Sequence, residues 1–179
     1  AANPGAIPSS YNNAGFVNAA AEDSAYEQQT RWLCAATYLF RLTGNATYRS
    51  YVDSNYTAAH LLVWSYASVW EQEYNDALLL YPASPGATGS VASNIHTRNT
   101  TSVVGSDHLV QVQNLADPYI AFLEDGNYTW GSNRTKSMQG QMYASMTRRC
   151  LGSANAPPLR DAAQSFVHYF HGVNPMGPA

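Results

Sequence analysis

The chain has 179 residues, 45% of them hydrophobic, a formal net charge of -3 and a single lysine, Lys136, among its nine basic residues. That length and apolar share suit one globular domain with its own core, and the scattered basic residues form no patch for neutralising phosphates, which argues against a nucleic-acid partner. The longest apolar stretches are broken by Ser, Thr or Arg before the roughly 18 residues a membrane span needs, so no membrane partner is expected.

In chain order, helical spacing dominates. From about Asp23 to Leu42, Tyr26, Trp32, Ala35, Ala36 and Leu39 recur at threes and fours, and Gly44 follows as a stop, which predicts an amphipathic helix. A second, short helix is expected from near Ala46 through Tyr51, and Tyr74 with Leu78-Leu79-Leu80 marks another. The stretch from Pro82 to Gln113, rich in Gly, Ser, Thr and Asn and without period, reads as a long irregular loop. Two further helices are expected over Gln139 to Met146 and Leu159 to Phe170. The latter starts after Pro157-Pro158, carries Leu159, Ala163, Phe166 and Phe170 on one stripe, and stops at Gly172 before Asn174-Pro175. No strand-like alternation is sustained, so the fold class is all-α, built from antiparallel helix pairs.

Five sequons, at Asn45, Asn55, Asn99, Asn127 and Asn133, point to a secreted glycoprotein. The opening residues do not resemble a signal peptide, as expected of a mature secreted chain. Asn45, Asn55, Asn99 and Asn127 are the expected acceptors. In an oxidising compartment Cys34 and Cys150 can form one bridge, and two buried thiols are the alternative.

Reactive groups are sparse. Glu22 and Asp23 suit the positive end of a helix dipole. Glu71, Glu73 and Asp76 fit a solvated helix face, and His168 and His171 fit a helix C-terminus. Asp107-His108 is a lone neighbouring pair. No facing carboxylates, no nucleophile with its base and no metal-ligating cluster emerge, so no catalytic residue, metal or cofactor is assigned.

Three segments carry a resemblance. RWLCAATYLFRLTGNATY resembles the Trp-Ala-Ala-rich helix and Thr-Gly-Asp-x-x-Tyr turn of glycoside hydrolase family 9, with Asn45 standing where the family has Asp. YTWGSNRTKSMQGQMYAS is similar to its Trp-Gly-Ser segment, and FVHYFHGVNPMG to its Tyr-x-x-Gly-x-Asn-Pro-x-Gly turn, in wording closest to a fungal-like branch. At the end of the chain, Pro178-Ala179 replaces the family's Ser/Tyr-type continuation.

The resemblance implies part of an (α/α)6 barrel over residues 1–179, acting on β-1,4-glucan by inversion. The family's catalytic Asp pair lies upstream of these motifs and its general-acid Glu downstream. The chain is then expected to act with the remainder of the same polypeptide, supplying scaffold and substrate wall. By the same resemblance Trp130, Arg134 and Trp70 would contact substrate, and the Asn133 sequon beside the cleft would go unused. Trp32 and Trp64 are expected in the core, as a Trp of an all-α protein ordinarily is. The alternative, from another class, is a noncatalytic glycan-binding or structural glycoprotein on the same helical frame.

Overall fold

Ser24 opens the first helix with a reciprocal pair of bonds: its hydroxyl accepts from the Glu27 backbone N–H at 3.2 Å, and its own N–H donates to the Glu27 carboxylate at 2.7 Å. Those bonds hold the Glu27 carboxyl below its ordinary value, the Ser24 backbone N–H contributing most. Helix α1 (Ala25–Thr43) ends at Gly44, whose φ of 66° only glycine adopts without strain and whose N–H donates to the Phe40 carbonyl at 2.8 Å. Asn45 at once caps α2 (Ala46–Asn55) by accepting from the Thr47 N–H at 2.8 Å, so two residues reverse the chain into a helical hairpin.

The computed structural model describes residues 24–64, 66–103, 107–113, 119–128, 131–149 and 156–172. After α1 and α2 come α3 (His60–Val63), α4 (Gln72–Leu78), α5 (Gly89–Val103), α6 (Asp107–Gln113), α7 (Ser132–Arg149) and α8 (Ala156–Phe170). The described residues contain helices and turns and no strand, so the class is all-α. Glu22, Asp23, Trp130, Cys150, Asn174, Pro175, Pro178 and Ala179 lie outside the described residues.

The core face of α1 differs from the stripe read in the sequence. Leu33, Ala36, Phe40, Thr30 and Thr37 are buried, whereas Ala35 is exposed and Trp32 and Leu39 are half-buried. Two threonines can sit in that face because their hydroxyls donate to carbonyls four residues back, Thr30 to Tyr26 and Thr37 to Leu33, each at 2.8 Å. On α8 the buried stripe is Leu159, Ala162 and Phe166; Ala163 is half-buried and Phe170 is exposed.

The expected loop over residues 82–113 is instead largely helical, formed by α5 and α6. Helix α5 is built from weak helix formers, but Val91, Ile95, Asn99 and Ser102-Val103 fall three to four residues apart and all are buried. Packing of that face supplies what propensity does not. The turn leading into α5 is tied to α2: the Tyr81 hydroxyl donates to Asp53, and the Thr88 hydroxyl donates to the same carboxylate at 2.7 Å. Thr88 N–H also donates to the Tyr81 oxygen at 3.0 Å, so a buried tyrosine spends both its polar functions on one junction.

Helices α7 and α8 lie antiparallel and touch at Gly140, where a Cβ would come within 2.8 Å of the Phe166 Cβ. Tyr143 packs its ring on Phe166 at 5.8 Å between centroids. The far end of α7 is fastened to α4 by the Arg149 guanidinium, which grips Asp76 at 3.0 and 3.2 Å. Asp76 therefore belongs to an interhelical fork, and not to the free solvated face expected of it.

Candidate substrate-binding site

Trp70 sits in a single 3-10 turn, Val69–Glu71, capped by the Ser68 hydroxyl. Its neighbours fix which way it faces. Val69 is buried in the core, and Glu71 is held from behind: its carboxylate accepts from the Tyr26 hydroxyl at 3.0 Å and lies 2.6 Å from His60 Nδ1. The Tyr26 oxygen in turn accepts from the His60 backbone N–H at 3.1 Å. Burial, helped by the nearby Glu71 charge, pushes the Tyr26 phenol up to about 12.

The imidazole of His60 is sandwiched between Tyr26 and Trp64, with ring centroids 3.7 and 3.6 Å apart, and Tyr66 continues the stack beyond Trp64 at 5.3 Å. Glu71 is thus an anchor for the turn, where the sequence suggested a solvated side chain; Glu73, two residues on, is exposed. Trp64 is half-buried within this stack rather than enclosed in the core, and Trp32 is half-buried too. Neither His60 nor its bond to Glu71 was anticipated, because the two residues lie 11 apart without helical register.

With its base fixed, Trp70 leaves 46% of its surface exposed and donates its indole N–H to the Asn127 Oδ1 at 3.0 Å. That bond spans 57 residues and brings the Trp70 turn to the segment that leads into α7. Asn127 closes the 3-10 turn Asp125–Asn127, and Tyr128 follows with 51% of its surface exposed. Gly131, at a φ of 82°, turns the chain into α7 and accepts from the Arg134 N–H at 2.8 Å. The Arg134 side chain is exposed in the first turn of the helix. The structure therefore gathers Trp70 and the segment bearing Arg134 at one end of α7.

Lys136, two residues further along, is a group that no sequence motif singles out. It is 1% exposed, and its ammonium donates to the Ala121 carbonyl and to the Tyr128 hydroxyl at 3.2 Å. It also lies over the rings of Tyr169 at 4.2 Å and Tyr128 at 5.2 Å. Its being the only lysine was the available signal. Gln139 continues the lining by donating to the Phe122 carbonyl at 3.1 Å. Residues 121–128 are thereby bound to α7 by side chains, since they form no ladder with it. Ile120, just before them, holds a φ of 54°, a strained value for a β-branched residue.

The other candidates scatter. Asn45 is exposed and Asn55 half-buried at the two ends of α2, whereas Asn99, expected in a polar loop, is 1% exposed within α5 and has no room for a glycan. Asn133 is exposed in the first turn of α7. Cys34 is a free thiol on α1, pushed up to about 12 by burial with the Glu73 charge adding to the shift. His168 and His171 are exposed at the end of α8, and Asp107 and His108 begin α6. A groove of about 550 Å3 runs along the α7–α8 pair between Arg148, Arg160 and Phe170, and neither Trp70 nor Arg134 lines it.

Among the described residues no three His, Cys, Asp or Glu side chains are grouped to hold a metal, and no helix is long and apolar enough to cross a membrane. The exposed indole and phenol, held by amide and ammonium groups, present flat apolar faces edged by polar atoms. No curated protein and no solved structure matches the chain. The family model of glycosyl hydrolase family 9 matches residues 5–179, nearly the whole sequence, with its helical segments and the Trp70–α7 surface inside the match, and the chain belongs to that family.

Proposed function

We propose that the protein is a secreted endo-β-1,4-glucanase of inverting mechanism, and that this chain supplies the helical frame and one wall of its glucan cleft. The supporting observation is the half-exposed Trp70 pinned by Asn127 beside the start of α7, within a chain of glycoside hydrolase family 9. Family membership makes the protein a glycoside hydrolase with a glycan substrate.

In the inverting reaction a carboxylate activates a water that attacks the anomeric carbon while a carboxylic acid protonates the departing oxygen. We assign both acids to parts of the polypeptide that flank these residues. The residues of this chain bind and orient. Trp70 and Trp130 offer indole faces to glucose rings, and the Arg134 guanidinium reaches hydroxyls. Binding shared equally by substrate and transition state lowers KM without raising kcat.

The test is to titrate the intact protein with cello-oligosaccharides and to assay its cleavage of a soluble cellulose derivative. Trp70→Ala and Trp130→Ala are each expected to weaken binding about ten- to hundredfold, if aromatic stacking on sugars matches that on other flat ligands. Binding that survives both changes, in variants that stay folded, removes this surface from the cleft.

A further inference from the structure

We infer that Tyr128 is a second sugar-stacking residue of this wall, paired with Trp70 and held in place by Lys136. The inference rests on the proposed glucan cleft and names a residue that the family resemblance did not supply.

Three observations carry it. Tyr128 exposes 51% of its surface although its hydroxyl accepts from a buried ammonium at 3.2 Å. A surface tyrosine with no task has no need of a buried lysine, and burying a lysine costs stability unless its charge is well accommodated. The ammonium here donates to the Ala121 carbonyl and the Tyr128 hydroxyl and lies over the faces of Tyr128 and Tyr169. Second, Tyr128 directly follows Asn127, whose side chain holds the Trp70 indole. One turn therefore fixes two half-exposed aromatic rings that lie 58 positions apart in sequence. Third, the segment that delivers Tyr128 begins at the strained Ile120 and is clamped to α7 by Lys136 and Gln139, so its conformation is imposed from the helix.

Two fixed rings on turns joined by the Asn127 bond suit a linear oligosaccharide, because each can take the apolar face of a different pyranose. Holding both rings before the ligand arrives also reduces the ordering cost of binding. Tyr128 would touch the sugar; Lys136 and Asn127 are positioning residues.

The experiment compares cellotetraose binding by the intact wild-type protein and by Tyr128→Ala, Tyr128→Phe, Lys136→Met and Trp70→Ala, with circular dichroism confirming each fold. Tyr128→Ala should weaken binding about ten- to hundredfold. Tyr128→Phe keeps the ring, releases the hydroxyl from Lys136 and should show a smaller loss, with a larger unfavourable binding entropy than wild type. Lys136→Met should reproduce that thermodynamic signature. If it does not fold, Tyr128→Phe reads the same contact. In turnover, all three should raise KM and leave kcat within about twofold. Should Trp70→Ala weaken binding while Tyr128→Ala stays within twofold of wild type, the inference falls and the glucan cleft stands. A wild-type protein that binds no cello-oligosaccharide overturns both.

Discussion

The indole N–H of Trp70 donates to the side-chain oxygen of Asn127 at 3.0 Å, joining two turns 57 residues apart. A hydrogen bond of this kind contributes about 0.5–1.5 kcal/mol, and its loss frees the indole to turn. Asn127→Ala should therefore weaken cello-oligosaccharide binding roughly two- to tenfold and red-shift the tryptophan emission. Asn127→Asp keeps an oxygen acceptor and should stay close to wild type. Equal losses in the two variants would show that the bond does not orient Trp70.

Asn127 also heads a sequon, and a glycan on its nitrogen would abut the Trp70 indole. Occupancy at Asn127 and glucan binding at Trp70 should exclude each other. Peptide mapping after enzymatic glycan release should show Asn45 converted and Asn99 unconverted, because Asn45 is exposed at the start of α2 and Asn99 is buried in α5. Conversion at Asn99, or a glucan-binding fraction modified at Asn127, would contradict the packing of those side chains.

Gly140 faces Phe166 so closely that an added methyl meets the Phe166 Cβ, an atom with no rotamer to escape into. Alanine gains up to about 1 kcal/mol in helix propensity over glycine. Overpacking in a core costs about 1–3 kcal/mol. Gly140→Ala should thus be destabilising on balance, read as a lower urea midpoint with an unchanged slope. A raised midpoint would mean that the α7–α8 contact is looser than described.

Alkaline stability follows from the buried phenols. Tyr26 is pushed up to about 12, chiefly by burial, and Tyr143 is raised by the same cause. Above the ordinary tyrosine value near 10 the unfolded chain loses these protons while the folded chain keeps them, so it is the unfolded state that deprotonation favours. Their contribution is complete below about pH 10 and is lost as pH rises through the folded value near 12. Urea midpoints between pH 8 and 11.5 should be level at first and then fall, and absorbance at 295 nm should show late-titrating tyrosines. A midpoint flat to pH 11.5 would contradict the burial of Tyr26.

The helix stops at Gly44 and Gly172 were the most readable part of this sequence, because they act through local backbone chemistry. The starts of α7 and α8 were not, since α8 begins at Ala156 with Pro157 and Pro158 inside its first turn, and α7 runs from Ser132 to Arg149, beyond both ends of the Gln139 to Met146 read for it. Gly44 and Gly172 do hold positive φ, at 66° and 109°. The face of α1 was less readable, since Thr30 and Thr37 look polar in sequence and become core residues once their hydroxyls bond to carbonyls of their own helix. Helix α5 was hidden for a related reason: its Ser, Thr and Asn residues disfavour an isolated helix, and only the packing of Val91, Ile95 and Val103 fixes it. At the site, Trp70 and Arg134 were named through family resemblance. Asn127, Tyr128, Lys136 and His60 were not, because their significance lies in contacts between residues far apart in sequence or off helical register.

The most direct test of a β-1,4-glucan hydrolase acting by inversion is to follow cellotetraose cleavage by the intact protein with proton NMR at early times. Inversion at a β-linkage predicts that the α-anomer of the new reducing end accumulates first, before mutarotation brings in the β-anomer. First appearance of the β-anomer, or cleavage of another glycan with cellotetraose untouched, would contradict the account.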